Sequence, residues 1–392
     1  MKLPIKKKSN ATKNASPDDF LVLDITDNSV KSLFISGASQ PYTIKGASVK
    51  SSYLKEEFDH VVSQSVRECF VQADAETTNT IVGLGGPNVF GFMLILKINR
   101  SDSSKPVTEK ELDGFYSKVK DISEKQARQR WAVFHPDDND FVPLDMVVTS
   151  FETDEGKVED PVGKNVSYVQ IAVYCSYAVK SFYAKVVNTL STLGIEPLTI
   201  TTTLYSQVKL LSEEHKNYIL VDIGGEYTDV AVIFGKDIVQ TKSFQIGGNY
   251  FTEHLSNSMG LDFKKAQGKK ESYSLNSVSD DEHDSVGDVL YESGKDWRSA
   301  LETTLSSMTG IKSFPSKIFL SGGGANLPLI EELLYEEDWK QSIPFANSLE
   351  IEKVGNKYWS EIVDDELKLI GGTMFFVPAS LCAVRIELSS PE

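Results

Sequence analysis

Cysteine is scarce in these 392 residues: Cys69, Cys175 and Cys382 stand far apart and form no CxxC pair. That excludes a disulfide framework and a thiolate zinc site, and it fits a reducing compartment. The five histidines (His60, His135, His215, His254, His283) are scattered and fall in no HExxH motif, so none is read as a metal ligand. No run of about 18 apolar residues occurs, and the N-terminus lacks the apolar centre of a signal peptide, so neither a spanning helix nor secretion is expected. Positive charge is also short, with 40 Lys and Arg against 56 Asp and Glu and a formal net charge of -16. A nucleic-acid partner is thereby excluded, because duplex binding draws its affinity from Lys and Arg that neutralise phosphate.

What is present is ordinary globular protein, 40% hydrophobic and 24% charged. The chain is too long for one hydrophobic core, so two or more units of roughly 100–200 residues are expected. Residues 1–19 read as a polar tail whose Lys6, Lys7 and Lys8 are a short basic cluster, below what stable lipid anchoring needs. Residues 20–24 (FLVLD) are an apolar run ending in an acid, and 30–36 (VKSLFIS) alternate, which reads as a β-hairpin. An amphipathic helix follows on Leu54, Phe58, Val61, Val62, Val66, Cys69 and Phe70, then a strand at 80–84 and a Gly85-Gly86-Pro87 break.

Residues 88–176 change character and read as an inserted α+β module. Phe92–Ile98 and Val166–Tyr174 are strand-like, and Thr108 with Glu111 reads as a capping box. Helical spacing returns at Val179, Phe182, Val186, Leu190 and Leu193, closed by Gly194. Tyr218–Asp222 then repeats the run into an acid. FLVLDITDNSVKSLFIS and YILVDIGGEYTDVAVIF, about two hundred residues apart, suggest two related half-domains facing each other. Residues 276–296, acidic and Ser-rich, read as an exposed loop. The final ASLCAVRIELSSPE alternates like a strand.

Chemistry concentrates at three turns. In Asp222-Ile223-Gly224-Gly225 two glycines let the backbone turn tightly and present N–H groups to a phosphate without Cβ interference. A carboxylate beside phosphate calls for a divalent cation between them, and Mg²⁺ takes one or two carboxylates, waters and phosphate oxygens. Asp24 and Asp222 on facing hairpins would form such a clamp. The third turn is Lys317–Leu320, a strand, followed by Ser321-Gly322-Gly323-Gly324-Ala325-Asn326 and a helix through Ile330, Leu333 and Leu334. Three glycines there permit a flat ligand to approach the backbone.

The succession VLDITDNSVK, VDIGGEYTDVAVIFGKDIVQTKSFQIGGNYFTEHL and IFLSGGGANLPLIEELL resembles the two phosphate motifs and the adenosine motif of actin-like ATPases. The inserted module, the IGGxxxT run at Ile246–Thr252 and the Asp160-Pro161-Val162-Gly163 turn look most like the division protein FtsA, with the pilus assembly protein PilM second. The resemblance implies an α/β, two-lobed actin-like (ribonuclease-H-like) fold with a 1C/SHS2-type inserted module. The first lobe would hold residues 20–87, 177–216 and 366–388, the module 88–176, and the second lobe 217–365. ATP and Mg²⁺ are the implied cofactors. Asp24 and Asp222 would order the metal and its waters, with Lys31 near the first hairpin. Gly224, Gly225, Thr228, Gly247 and Gly248 would lie at the phosphates, and Gly322, Gly323, Gly324 and Ala325 at the nucleoside. Lys270 matches a family lysine against ribose and base.

The implied role is a cytoplasmic, membrane-proximal scaffold that self-associates into filaments and tethers the tubulin-like ring protein FtsZ to the inner membrane. The alternative is a PilM-like platform for an inner-membrane pilus protein. Several positions depart from the family pattern. Thr26, Asp27 and Asn28 replace Gly-Thr-Ser in the first turn, and Glu226 and Tyr227 replace Gly-Thr in the second. Thr202 and Thr203 stand where a Glu-Pro pair is common, and Gln267 replaces a Glu. Threonine is a poor water activator, so ATPase activity is expected to be weak or absent. The C-terminal amphipathic helix of FtsA is not matched, so membrane contact is expected through the N-terminal lysines or a partner. A small-molecule kinase of the same fold would lack the 88–176 module.

Overall fold

The structure, a computed structural model, describes residues 14–26, 29–51, 57–134 and 140–389. Lys6, Lys7, Lys8, Asp27, Asn28 and Leu54 lie outside them. In chain order come β1 (Phe20–Ile25), β2 (Ser29–Ser36), β3 (Tyr42–Ser51), α1 (Phe58–Ala73) and β4 (Asn79–Leu84). There follow β5 (Val89–Asn99), α2 (Glu109–Phe134), β6 (Phe141–Thr153), β7 (Gly156–Val158), β8 (Tyr168–Val179), α3 (Lys180–Thr192), β9 (Glu196–Thr202) and α4 (Thr203–Leu211). The second half holds β10 (Tyr218–Ile223), β11 (Thr228–Phe234), β12 (Asp237–Phe244), α5 (Gly248–Met259), α6 (Phe263–Ser274) and α7 (Asp280–Ser306). Last are β13 (Lys317–Ser321), α8 (Pro328–Tyr335), β14 (Glu350–Lys353), β15 (Val363–Asp364) and α9 (Phe376–Ser389).

The echo in the sequence is an echo in topology. In the sheet β15-β3-β2-β1-β4-β9, β1 runs antiparallel to β2 and parallel to β4. In the sheet β12-β11-β10-β13-β14, β10 runs antiparallel to β11 and parallel to β13. Both central strands are covered on both faces, which is why they read as unbroken apolar runs instead of alternating. Val22 and Leu33 share one core with Leu220 and Ala231, together with Leu204 and Val208 of α4 and Phe376 and Ala379 of α9. On the opposite faces, Leu21 and Leu23 pack with Val62 and Val186, while Ile219 and Val221 pack with Leu255, Trp297 and Leu333.

The inserted module is the third sheet, β5-β8-β6-β7. It has its own core, in which Phe115 and Val119 of α2 meet Phe92, Ile171 and Tyr177. Thr108 does cap α2, accepting from the Glu111 N–H at 3.2 Å. The Glu111 carboxylate, however, turns away to a bidentate pair with Arg100, at 2.8 and 3.0 Å, so the box is half formed. The DPVG turn serves the same end of the module: Gly163 takes φ +83° and Val162 bridges to Val107 just before α2.

Two expectations fail. Residues 276–296 are not an exposed loop, since α7 begins at Asp280 and runs 27 residues. Its apolar anchors Val286, Leu290, Trp297, Leu301 and Leu305 are spaced too widely to stand out among acids, yet all are buried. The acids crowd its N-terminal turn, where the helix dipole favours negative charge. The C-terminal segment is likewise a helix and not a strand. Val377, Ala379, Leu381, Ala383 and Val384 are buried on every side, so no amphipathic period is present to mark it.

Candidate functional site

The two acidic hairpins open onto one cleft of about 650 Å³, within the range of small-molecule sites. Asp24, Lys31, Asp222, Gly224, Gly225, Gly248, Lys270, Gly322, Gly323 and Gly324 all line it. Three of the anticipated residues do not. Thr228 is fully buried, donating to the Ile246 carbonyl at 2.6 Å and accepting from the Trp297 indole at 3.0 Å. Ala325 lies in the core of the second lobe. Gly247 packs against the second turn, where a Cβ would stand 2.6 Å from the Gly225 carbonyl oxygen.

Strand register decides the electrostatics. Asp24 is paired across the first hairpin with Lys31, and the partly buried ion pair closes at 2.6 Å. The equivalent partner of Asp222 across the second hairpin is Asp229, which also lines the cleft. Asp222 is almost wholly buried, and desolvation first, with the Asp229 carboxylate second, pushes its pKa up to about 6. The Gln207 amide opposes this, donating to Asp222 Oδ2 at 2.8 Å. Gln207 in turn accepts from Ser321 Oγ at 2.6 Å, tying the ends of β10 and β13 to α4.

The glycines divide by task. Gly322 has φ +83°, and a Cβ there would stand 2.5 Å from Asp222 Oδ1. A Cβ on Gly324 would run into the side chain of Ile223. Those two glycines let the third turn pack on the second; only Gly323 of the three faces open space. In the second turn the Gly224 N–H is used internally, donating to Tyr227 O at 2.9 Å. The first amides of α5, on Gly248 and Asn249, donate to the carbonyls of Gly224 and Gly225 at 2.8 and 2.7 Å. Among the described residues nothing accepts from the amides of Gly225 and Glu226, which are the donors left for a phosphate.

Opposite the hairpins, Lys270 of α6 donates to Gly248 O at 2.6 Å and to Thr252 Oγ1 at 2.8 Å. Burial lowers its pKa to about 8. Gln267 and Glu271 line the same wall. The segment Gly371-Gly372-Thr373-Met374 closes the cleft beside the third turn, with Thr373 Oγ1 donating to Gly322 O at 2.6 Å. Sequence reasoning missed Asp229, Gln207, Ser321, Gly371 and Gly372. A glycine pair and the acid of TDV are visible signals for three of them; Ser321 stands at the head of the glycine-rich turn, and Gln207 carries no signal.

Asp24, Asp222, Glu226, Asp229 and Glu271 outnumber Lys31 and Lys270 in the lining. A polyphosphate entering alone is repelled by this wall, whereas one carrying a divalent cation relieves the crowded carboxyl groups. Among the described residues no cluster of three or more His, Cys, Asp or Glu side chains is built to hold a metal alone. Phosphate oxygens and water would have to complete the shell. The residues present thus fit a Mg²⁺-bound nucleotide: Asp222 is charged at a penalty, amides stand unspent at the second turn, and Gly323 leaves room.

Paired hairpins of this kind, meeting over a cleft with a glycine-rich third turn, define the actin-like fold. The comparisons agree. Residues 219–360 match the family model "Cell division protein FtsA". Two FtsA proteins of Helicobacter pylori, strains J99 and 26695, are each 24% identical, over 160 and 162 residues. These matches cover 40% and 41% of this chain and 30% of each relative, so the chain matches less than a third of the relatives' length. The solved "PilM-PilN type IV pilus biogenesis complex" superposes with a TM-score of 0.66 at 18% identity, over 95% of this chain and 98% of that one. The chain has the actin-like fold, and the proteins it resembles fall in the FtsA/PilM branch.

Proposed function

We propose that this protein is a nucleotide-responsive scaffold of the FtsA/PilM type, assembling other proteins at the cytoplasmic face of a membrane. The observation that carries the reading is the cleft: two hairpins with one carboxyl already neutralised by Lys31 and one crowded by Asp229 form a receptor for a cation-bound polyphosphate. Asp24 and Asp222 would order Mg²⁺ and its waters, the amides of Gly225 and Glu226 would hold phosphate, and Gly323 and Lys270 would flank the nucleoside. Mg²⁺ would supply the charge that lets phosphate approach these carboxylates.

Turnover is slow in this reading. The Thr202 hydroxyl is occupied in capping α4 and meeting Tyr174, and a threonine has no basicity near neutral pH with which to activate water. The module and the second lobe therefore matter as surfaces more than the cleft matters as a catalyst. Between the branch's two roles, a pilus-type platform is favoured by the likeness to PilM, which runs through the inserted module and nearly the whole of both chains. An FtsA-type tether of the FtsZ ring rests on the second-lobe match. No helix among the described residues is long and apolar enough to cross a membrane, so a membrane partner would bring the protein there.

The test is a titration of the full chain with a fluorescent ATP analogue, with and without Mg²⁺, then with peptides from the N-terminus of a pilus inner-membrane protein and the C-terminus of FtsZ. Mg²⁺-dependent binding with capture of the pilus-type peptide is expected. Failure to bind nucleotide at any Mg²⁺ level removes the nucleotide arm; capture of the FtsZ peptide, with filaments on lipid that charge reversal in residues 88–176 abolishes, replaces the platform with the tether.

A further inference from the structure

The inserted module touches the cleft through an unbroken set of contacts that run along α4. On the module side the buried Tyr174 of β8 stacks on Tyr205, with ring centroids 5.5 Å apart and planes 12° apart. The Tyr174 hydroxyl shares a 3.2 Å hydrogen bond with Thr202 Oγ1, the same oxygen that accepts the Tyr205 N–H and caps α4. Gly91 makes room for this ring, since a Cβ there would collide with the phenol, and its carbonyl accepts from Thr241 of β12 in the second lobe.

At the middle of the helix, two residues on from Tyr205, Gln207 holds Asp222 and Ser321. All of α4 except Lys209 is buried, and Ser206 Oγ is hydrogen-bonded to Ser380 Oγ of α9 at 2.9 Å. A helix with eight of nine residues so enclosed moves as one body, because a close-packed interior passes displacement on instead of absorbing it.

We propose that Gln207 is a positioning residue for Asp222 and that α4 couples it, through Thr202, Tyr205 and Tyr174, to the inserted module. What fills the cleft and what docks on the module then bias each other. The inference rests on the nucleotide reading of the cleft. A cation that draws on Asp222 changes the load on its Gln207 hydrogen bond, and α4 carries that change to the Tyr174 stack. Coupling between two binding events is reciprocal, so a module ligand must change nucleotide affinity by the same factor.

The experiment uses the full chain with Mg·ATP as probe and reads two quantities: nucleotide affinity, and amide hydrogen exchange in β5 and β8. The parent is expected to bind and to slow exchange in both strands. Tyr174→Phe, which removes only the hydroxyl, should keep affinity within about twofold but lose most of the module response. Thr202→Ser should keep the response and Thr202→Val should lose it. Gln207→Leu should weaken binding by about tenfold, the scale of a hydrogen bond to a charged group, and abolish the response. A parent that binds Mg·ATP with no change in β5 and β8, or a Tyr174→Phe chain with the full response, overturns the coupling while the nucleotide reading stands. A parent that does not bind Mg·ATP overturns both.

Discussion

The two hairpins over the cleft share strand order, register and burial, and they differ in one residue across from the central acid. Asp24 faces Lys31; Asp222 faces Asp229. The first hairpin is therefore held by a partly buried ion pair, and the second sets two carboxyl groups against each other, with Asp222 desolvated and steadied by Gln207. The contrast teaches that a duplicated fold need not duplicate function. One half of the clamp is finished as it stands, and in the proposed reading the other would be stabilised by a ligand it does not itself provide.

The strongest way to break that comparison is Asp24→Asn. It leaves the partly buried Lys31 without its ion-pair partner, and loss of about 3 kcal/mol is expected, seen as a lower denaturant midpoint. The matching change in the other hairpin, Asp222→Asn, should act with the opposite sign. Because the pKa rises from 3.8 to about 6, the folded chain keeps a proton between those values that the unfolded chain has released. Stability from this group therefore falls as pH climbs through that window, and the full penalty stands above it. The change is expected to stabilise the free protein by about 2 kcal/mol at pH 7.5 and by nothing near pH 4, read from melting curves at the two pH values. Mg²⁺-dependent nucleotide binding should be lost in the same protein.

The third turn sharpens the comparison from the side. Gly322→Ala forces a positive φ and a clash with the end of β10, costing about 2 kcal/mol, whereas Gly323→Ala should stay within about 0.5 kcal/mol by chemical denaturation. A modest gain is expected from Asp229→Lys, which rebuilds the second hairpin on the pattern of the first. It should gain about 1 kcal/mol through a new pair with Asp222 and make the Mg²⁺ requirement for nucleotide disappear, a result that titration with and without the metal checks directly.

Much of the fold was legible because its signals are local. The runs FLVLD and YILVD announce strands covered on both faces, and Asp160-Pro161-Val162-Gly163 announces its turn. The acid-rich α7 escaped because its five anchors are diluted among carboxylates and gain their meaning only from burial against Leu333 and Phe251. Helix α9 escaped for the opposite reason, being apolar on all sides and so lacking a period. In the site, the glycines were visible but their division of labour was not. Gly322 and Gly324 answer to Asp222 and Ile223, a hundred residues away in sequence and in contact in space.

The sequence by itself determined two acidic hairpins, a glycine-rich third turn and a module inserted between the halves, since each is written in adjacent residues. Tertiary structure decided which carboxyl is ion-paired and which is crowded, through register that sets Lys31 against Asp24 and Asp229 against Asp222. It also decided that Gln207, unremarkable in a helix, should meet Asp222 and Ser321. The physical reason is that desolvation and pairing depend on what the fold brings near, and neighbours in space are not neighbours in the chain.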